Sequence, residues 1–318
     1  MRVLVTGGAG FIGSTLVDRL LAEGYDVDVV DDLSSGSLGN LTEARSVPSR
    51  RFSFHRIDVR SPAIVELLAH RKPELVFHLA AQADVRVSVA KPAFDAEVNI
   101  IGSLNVFEGA WKAGTRKVLF ASSGGTIYGV PEDLPVREGH PQRPVSPYGV
   151  AKKATGDYLH YYREVHGLEY TALALANVYG PRQDPNGEAG VVSIFADKLL
   201  ARERPMIFGD GEQTRDFVYV DDVVDAFVRA GEKGGGLLMN IGTGKETSVQ
   251  LLFDTMARIT GFKDPARYAP ARLGELRRSA LDPGRAAIHL GWKPWTSLDD
   301  GIGRTLEWCK AARAASRR

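Results

Sequence analysis

The chain has a single cysteine, Cys309, in 318 residues, so it forms no internal disulfide. It has no C-x-x-C or H-E-x-x-H pattern, and its seven histidines are scattered, which argues against a thiol redox centre or a structural zinc; no metal is expected. Long apolar runs are missing as well. Met1-Arg2 leads directly into Val3-Leu4-Val5-Thr6-Gly7, too short for a signal core, and nothing reaches the ~18 apolar residues of a membrane span. The expected location is the cytoplasm. Nor is there an excess of charge of one sign: 40 Lys+Arg against 39 Asp+Glu leave +1. Neither nucleic acid nor a membrane surface is then an expected partner. With 44% hydrophobic and 25% charged residues and no repeat or low-complexity block, disordered, collagenous and coiled-coil readings are excluded.

What is present is alternation. Arg2–Thr6, Asp26–Asp31, Phe52–Ile57, Leu75–Leu79, Lys117–Ala121 and Tyr170–Ala174 read as strands. Between them Phe11–Glu23, Ala63–Arg71, Asp95–Ala113 and Pro147–His166 read as helices, with Gly24, Gly114 and Gly167 where C-caps belong. Repeated strand-helix alternation implies parallel strands joined by right-handed crossovers and covered on both faces. The fold class is therefore α/β, a doubly wound parallel sheet of Rossmann type, followed by a smaller C-terminal α/β substrate domain. The chain becomes turn-rich after Leu175, which places the division at residues 1–176 and 177–318. Pro205–Phe208 and Leu237–Ile241 still read as strands, so segments near 205–241 are left open to return to the first sheet.

Gly7-Gly8-Ala9-Gly10-Phe11-Ile12-Gly13 follows the first strand and opens an amphipathic helix. In a G-x-x-G-x-x-G turn, glycines let backbone N–H groups and a helix N-terminus approach a pyrophosphate without Cβ interference. The plain alternative is a turn that merely packs closely. Asp31-Asp32 argues against it. It ends the second strand about twenty residues on, where a carboxylate accepts both ribose hydroxyls and repels a 2′-phosphate, which predicts NAD rather than NADP. For Asp32, simple surface solvation remains an equal alternative.

Tyr148 and Lys152 lie four apart at the start of a predicted helix, on one face. A phenol with an ordinary pKa near 10 is a poor base at neutral pH, and a neighbouring ammonium stabilises its phenolate. Upstream, the strand Lys117–Ala121 ends in Ser122-Ser123-Gly124-Gly125-Thr126, at the carboxyl edge where doubly wound sheets bind ligands. A hydroxyl there is suited to holding a substrate oxygen.

These pieces resemble the extended short-chain dehydrogenase/reductase family, in its nucleotide-sugar epimerase branch, over essentially the whole chain. Further matching segments are His78-Leu79-Ala80-Ala81-Gln82, Val98-Asn99, Ala176 to Gln183, Phe208 to Gly211, Thr214 to Val218 and Asn240 to Gly244. The resemblance implies a tightly bound NAD met by Gly7, Gly10, Phe11, Ile12, Gly13, Asp31, Asp32, Ser35 and Gly36. It adds Asp58 and Val59 at the adenine, then Leu79, Ala80, Ala81, Gln82, Asn99, Ser122, Tyr148 and Lys152. For a UDP-sugar substrate it implies Ser123, Thr126, Tyr148, Asn177, Val191, Val192, Phe208, Arg215, Arg272 and Glu275. It also implies a homodimer, through helices such as Asp95–Ala113 and Pro147–His166.

Two positions depart from the family pattern. Many relatives carry the catalytic Ser or Thr four residues before the tyrosine here numbered Tyr128, where this chain has Gly124. Ser123 is the expected replacement, Thr126 the next choice, with Ser122 nearer the nicotinamide. Ala174 stands where many relatives carry arginine.

The chemistry implied is epimerisation at C4, interconverting UDP-galactose and UDP-glucose. That C–H bond is not acidic, so oxidation to a 4-keto sugar precedes inversion, and catalysis falls to Tyr148, Lys152 and Ser123. A 4,6-dehydratase needs a further acid/base pair, which Gly124-Gly125 does not supply. A net dehydrogenase or reductase exchanges its cofactor every cycle, and a non-catalytic NAD-binding protein has no use for the intact Tyr148/Lys152 pair. A UDP-glucuronate 4-epimerase needs a cation for the sugar carboxylate, for which Arg86 is a candidate. Ser279 stands where some glucose-selective relatives carry a bulky aromatic; a small residue there is suited to admitting an N-acetyl group, with an ordinary loop serine the equal alternative.

Overall fold

Strands β1 (Arg2–Thr6), β2 (Asp26–Asp31), β3 (Phe52–Arg56), β4 (Leu75–His78), β5 (Lys117–Ser123) and β6 (Glu169–Leu175) send side chains alternately to two faces, and both faces are apolar. Val3, Val5, Val29, Phe77 and Leu119 enter one core, whereas Leu4, Val30, Val76, Val118 and Phe120 enter the other. Strands buried on both faces require helices on each side. The computed structural model, which describes residues 1–48, 50–185, 190–271 and 276–315, has that arrangement. Helix α1 (Phe11–Ala22) and Val220–Ala230 cover the first face through Leu16, Leu20, Val223 and Phe227. Helix α2 (Ala63–Arg71), Gly102–Ala113 and Pro147–His166 cover the second through Ile64, Leu68, Phe107 and Leu159. Each fully buried side chain of this size contributes about 1.5–3 kcal/mol relative to exposure.

The sheet has seven strands in the order Leu237–Ile241, β6, β5, β4, β1, β2, β3, all neighbours parallel. The chain winds outward from β1 through β2 and β3, then restarts at β4 on the other side. The switch point lies between β1 and β4, where Thr6 is in register with His78. At such a point the flanking loops diverge and leave a crevice beyond the carboxyl ends of the strands.

Of the two late segments read as strands, Leu237–Ile241 does return, as the edge strand beside β6. Met206–Phe208 does not: it pairs with Arg267–Ala269 in a separate parallel ribbon. The remaining C-terminal elements, including helices Val191–Leu200, Val249–Thr260 and Leu298–Ala315, pack Phe195, Leu252 and Ile302 onto the first core. The segment Asp95–Ala113, expected as one helix, is interrupted: Pro92–Ala96 is α-helical, Glu97–Ile101 forms a π-turn, and α-helix resumes at Gly102. The extra residue per turn places Asn99 inside the fold, where it is buried.

Candidate active site

A cavity of about 920 Å³ opens at the switch point, and its walls come from the ends of β1, β2, β4 and β5 and from segments after β6. The glycine turn forms its floor. Gly7 takes φ +68°, and a Cβ on it would lie 2.7 Å from the Ala80 nitrogen. A Cβ on Gly13 would lie 2.1 Å from the Gly7 carbonyl oxygen. These two glycines are therefore demanded by the protein's own backbone. Gly10, the N-cap of α1, lines the cavity, and no side chain caps this helix, so its N-terminal N–H groups and partial positive charge are directed to whatever sits there.

The two aspartates part company. Asp31 is 8% exposed; the Ala9 N–H donates to its Oδ2 at 2.9 Å and the Leu33 N–H to its Oδ1 at 2.8 Å. Burial pushes its carboxyl above the usual range, the two backbone donors pull it back, and Asp32 adds to the rise. Each oxygen keeps a lone pair for a ribose hydroxyl. Asp32 instead ties its own turn, accepting from the Ser34 N–H and hydroxyl at 2.8 and 2.6 Å, although it also lines the cavity. Gly36 is set behind Asp31, with no room for a Cβ beside its carboxylate, while Ser35 lines the wall. Ser37 and Asn40, which sequence reasoning passed over, pin this loop by donating to the Ala9 carbonyl. Asp58 and Val59 lie further along, with the Asp58 carboxyl held low by its hydrogen bonds to Arg60.

At the other end the hydroxyls meet the Tyr148/Lys152 pair. Ser122, Ser123, Thr126, Tyr148 and Lys152 line one stretch of wall. The helix carrying the pair starts at Pro147, with Ser146 accepting from the Gly149 N–H. Gly149 lets it press against β5's extension, since a Cβ there would sit 2.8 Å from the Thr126 carbonyl oxygen. Lys152 is buried. Its Nζ donates to the Ala121 carbonyl at 2.9 Å and lies 4.9 Å from the Phe120 ring centroid and 5.6 Å from that of Tyr148.

Gly124 has a steric cause. A Cβ on it would fall 2.2 Å from Leu281 Cδ1, so Leu281 fills the space that a hydroxyl-bearing side chain would need. Leu281 is buried, and its backbone is anchored by its N–H, which donates to Asp216 Oδ2 at 3.1 Å.

Behind the wall, Thr6 Oγ1 is hydrogen-bonded to His78 Nδ1 at 2.7 Å, and His78 Nε2 to Ser103 Oγ at 2.8 Å. Burial, reinforced by the Lys152 charge, pulls His78 down to about 3, so the ring is neutral. Gln82 and Asn99 do not line the cavity; they bond to each other through Gln82 N–H to Asn99 Oδ1 and Asn99 Nδ2 to the Gln82 carbonyl. They thereby fix the Leu79–Ala81 backbone, which does line it.

On the wall beyond β6, Asn177, Arg215 and Ser279 line the cavity, whereas Val191, Val192 and Phe208 do not. Arg272 and Glu275 lie outside the described residues. The family-like segments around Asp216 and Thr243 have a structural explanation: the buried Asp216 carboxylate accepts from Thr243 N–H and hydroxyl, Gly244 N–H and Leu281 N–H. Arg86 is paired with Asp84 and absent from the cavity wall. Arg182 and Trp308 line the cavity without having been singled out. Arg182 is held by Asp18 at 2.6 Å, and Trp308 is one apolar residue on a largely exposed helix, a signal too weak to notice.

The layout defines a class, an enzyme that carries out hydride chemistry with a bound dinucleotide. The chain belongs to the NAD dependent epimerase/dehydratase family, whose model matches residues 3–242. It is 53% identical, over 97% of its length and 98% of the other's, to a UDP-glucose 4-epimerase of Mycolicibacterium smegmatis. The UDP-glucose 4-epimerase of Thermotoga maritima, solved with UDP-glucose, superposes with TM-score 0.95 at 48% identity, covering 98% of this chain and 100% of that one. That of Thermus thermophilus, in complex with NAD, gives TM-score 0.91 at 41% identity with the same coverage. The residues here fit NAD on their own geometry: an uncapped helix N-terminus and a glycine turn suited to phosphates, and a buried carboxylate suited to ribose hydroxyls.

Gly124→Ser is expected to lower stability by about 1–3 kcal/mol in urea unfolding, through its clash with Leu281. Adding Leu281→Ala, which opens the space, should recover part of that loss relative to Leu281→Ala alone.

Proposed function

We propose that this protein is a UDP-glucose 4-epimerase that interconverts UDP-galactose and UDP-glucose. The observation that carries the reading is the meeting, in one cavity, of Tyr148, the buried Lys152 and the β5 hydroxyls with a cradle suited to NAD. The names of its full-length relatives support it.

When bound, NAD supplies the acceptor and donor of hydride at C4. The chain supplies the rest. Tyr148 takes the proton from the sugar's O4 and later returns it, so no proton need leave the site. Lys152, held against the Ala121 carbonyl, presents a fixed cation beside the Tyr148 ring, where it favours phenolate. Ser123 holds the reacting oxygen, with Thr126 the alternative donor and Ser122 nearer the nicotinamide. Asn177 and Arg215 on the far wall grip the uridine diphosphate, a role that the family resemblance extends to Arg272 and Glu275. Binding energy remote from C4 lets the 4-keto sugar turn over between the two hydride steps without escaping. Ser279, a small residue, lines the wall, which makes UDP-N-acetylglucosamine the second sugar to try. No corresponding observation favours UDP-glucuronate.

A homodimer in the cytoplasm completes the reading. No helix among the described residues is long and apolar enough to cross a membrane. Ile101, Val150, Tyr158, Tyr161 and Val165 are exposed on the two helical segments expected to meet a second copy. Large apolar side chains exposed on these segments are suited to burial against another subunit.

Purified protein without added NAD, given UDP-galactose and followed by proton NMR, is expected to form UDP-glucose. No conversion even with NAD added would refute the reading. Tyr148→Phe should lose at least about 100-fold in kcat while retaining NAD and UDP binding; wild-type turnover would remove Tyr148 from its role. Val165→Glu should shift sedimentation toward monomer, and an unchanged dimer would place the interface elsewhere.

A further inference from the structure

Arg215 reaches the cavity wall from a two-residue strand, Thr214–Arg215, paired antiparallel with Thr247–Ser248. So short a ribbon does not by itself hold a long side chain in place. Its support comes from the segment Leu276–Ser279, which crosses beside it. The Thr214 N–H donates to the Arg277 carbonyl at 3.0 Å, and Arg215 Nη1 donates to the Leu276 carbonyl at 2.9 Å. That crossing segment is held in turn by two carboxylates. Glu246 Oε2 accepts from Arg278 Nε at 2.8 Å and from the Thr214 hydroxyl at 2.5 Å, while its Oε1 accepts from Arg278 Nη2. Asp210 takes Arg277 in a second two-pronged pair, at 2.7 and 2.9 Å.

Glu246 differs from an ordinary surface charge. Its side chain is 24% exposed, and it bonds the strand that carries Arg215 and the segment that receives Arg215's hydrogen bond. A single exposed ion pair contributes little, but a two-pronged guanidinium–carboxylate pair sharing its carboxylate with a hydroxyl is a fixed joint. Neither Glu246 nor Arg278 is among the residues that line the cavity.

We infer that Glu246 and Arg278 are positioning residues for the nucleoside diphosphate: they lock the Thr214–Arg215 strand to Leu276–Ser279 and so hold the Arg215 guanidinium in register for its anionic ligand. The inference rests on the proposed UDP-sugar function. The joint lies behind the cavity wall and bonds to none of Tyr148, Lys152, Ser122 and Ser123, so its loss weakens ground state and transition state alike. KM then rises and kcat stays.

The test uses the full-length enzyme with its cofactor, and Glu246→Gln, Arg278→Met and the double variant. Calorimetric titration with UDP and steady-state kinetics with UDP-galactose are measured for each. Both single variants should raise the UDP Kd and the KM by about fivefold to tenfold, with kcat within about twofold of wild type. The double variant should be no weaker than the worse single one, because both substitutions remove the same joint. Asp299→Asn, which breaks the exposed Arg258–Asp299 pair elsewhere, should leave all three constants unchanged. Unchanged UDP affinity in both single variants, a fall in kcat at constant KM, or additive losses would overturn the inference and leave the function standing. Absence of UDP binding by the unaltered protein would overturn both.

Discussion

Everything in this molecule depends on how closely two pieces of backbone approach at the switch point of the sheet. The turn after β1 passes the end of β4 at a distance that leaves no space for a Cβ at Gly7. Because the turn lies flat there, α1 starts directly over the crevice and its first N–H groups point into it. The same approach brings Ala80 and Ala81 to the wall beside it. A bulkier turn would lift the helix away, and the phosphate cradle would become an ordinary loop.

Around that contact the groups are arranged in layers. Several of those that face the cavity are fixed from behind: Asp31 by backbone donors, Lys152 by the Ala121 carbonyl, Leu79–Ala81 by the Gln82–Asn99 pair. The neutral His78 joins β1 to the helix beyond it without bringing a charge into the core. Asp31, Lys152 and the Leu79–Ala81 backbone are thus preorganised by backbone and uncharged polar links, and the buried Lys152 cation stands where a phenolate is proposed to form. Arrangements of this kind keep catalytic groups in place without solvent reorganisation.

Much of this could be read in the sequence because it depends on local periodicity. β1 to β6, the helices that follow β1 and β3 and the one from Pro147 to His166 all follow from patterns a few residues long, as do the glycine turn, Asp31 at a strand end and the Tyr148/Lys152 spacing. The helix Val220–Ala230 is not among the elements so read. What escaped depends on partners far away in the chain. Met206–Phe208 looks like a sheet strand, yet it finds Arg267–Ala269 about sixty residues later. The π-turn at Glu97–Ile101 answers to the polar groups that Asn99 must reach, not to helix propensity. Gly124 reads as a missing hydroxyl in sequence and as a contact with Leu281 in space. Gln82 and Asn99 carry a family pattern that does not distinguish touching a ligand from supporting the residues that do.

The edge strand Leu237–Ile241 has a consequence for how the chain is made. The cofactor sheet is not finished when β6 emerges, because its last strand arrives about sixty residues later. Until then β6 presents an apolar, hydrogen-bonding edge to solvent, the kind of surface that recruits strands from other molecules. During synthesis the nascent chain must cross that interval with its sheet open. A fragment cut at the apparent domain boundary would remain in that condition permanently. The chain beyond residue 176 thus supplies a strand to the sheet built before it, and neither stretch completes its fold without the other.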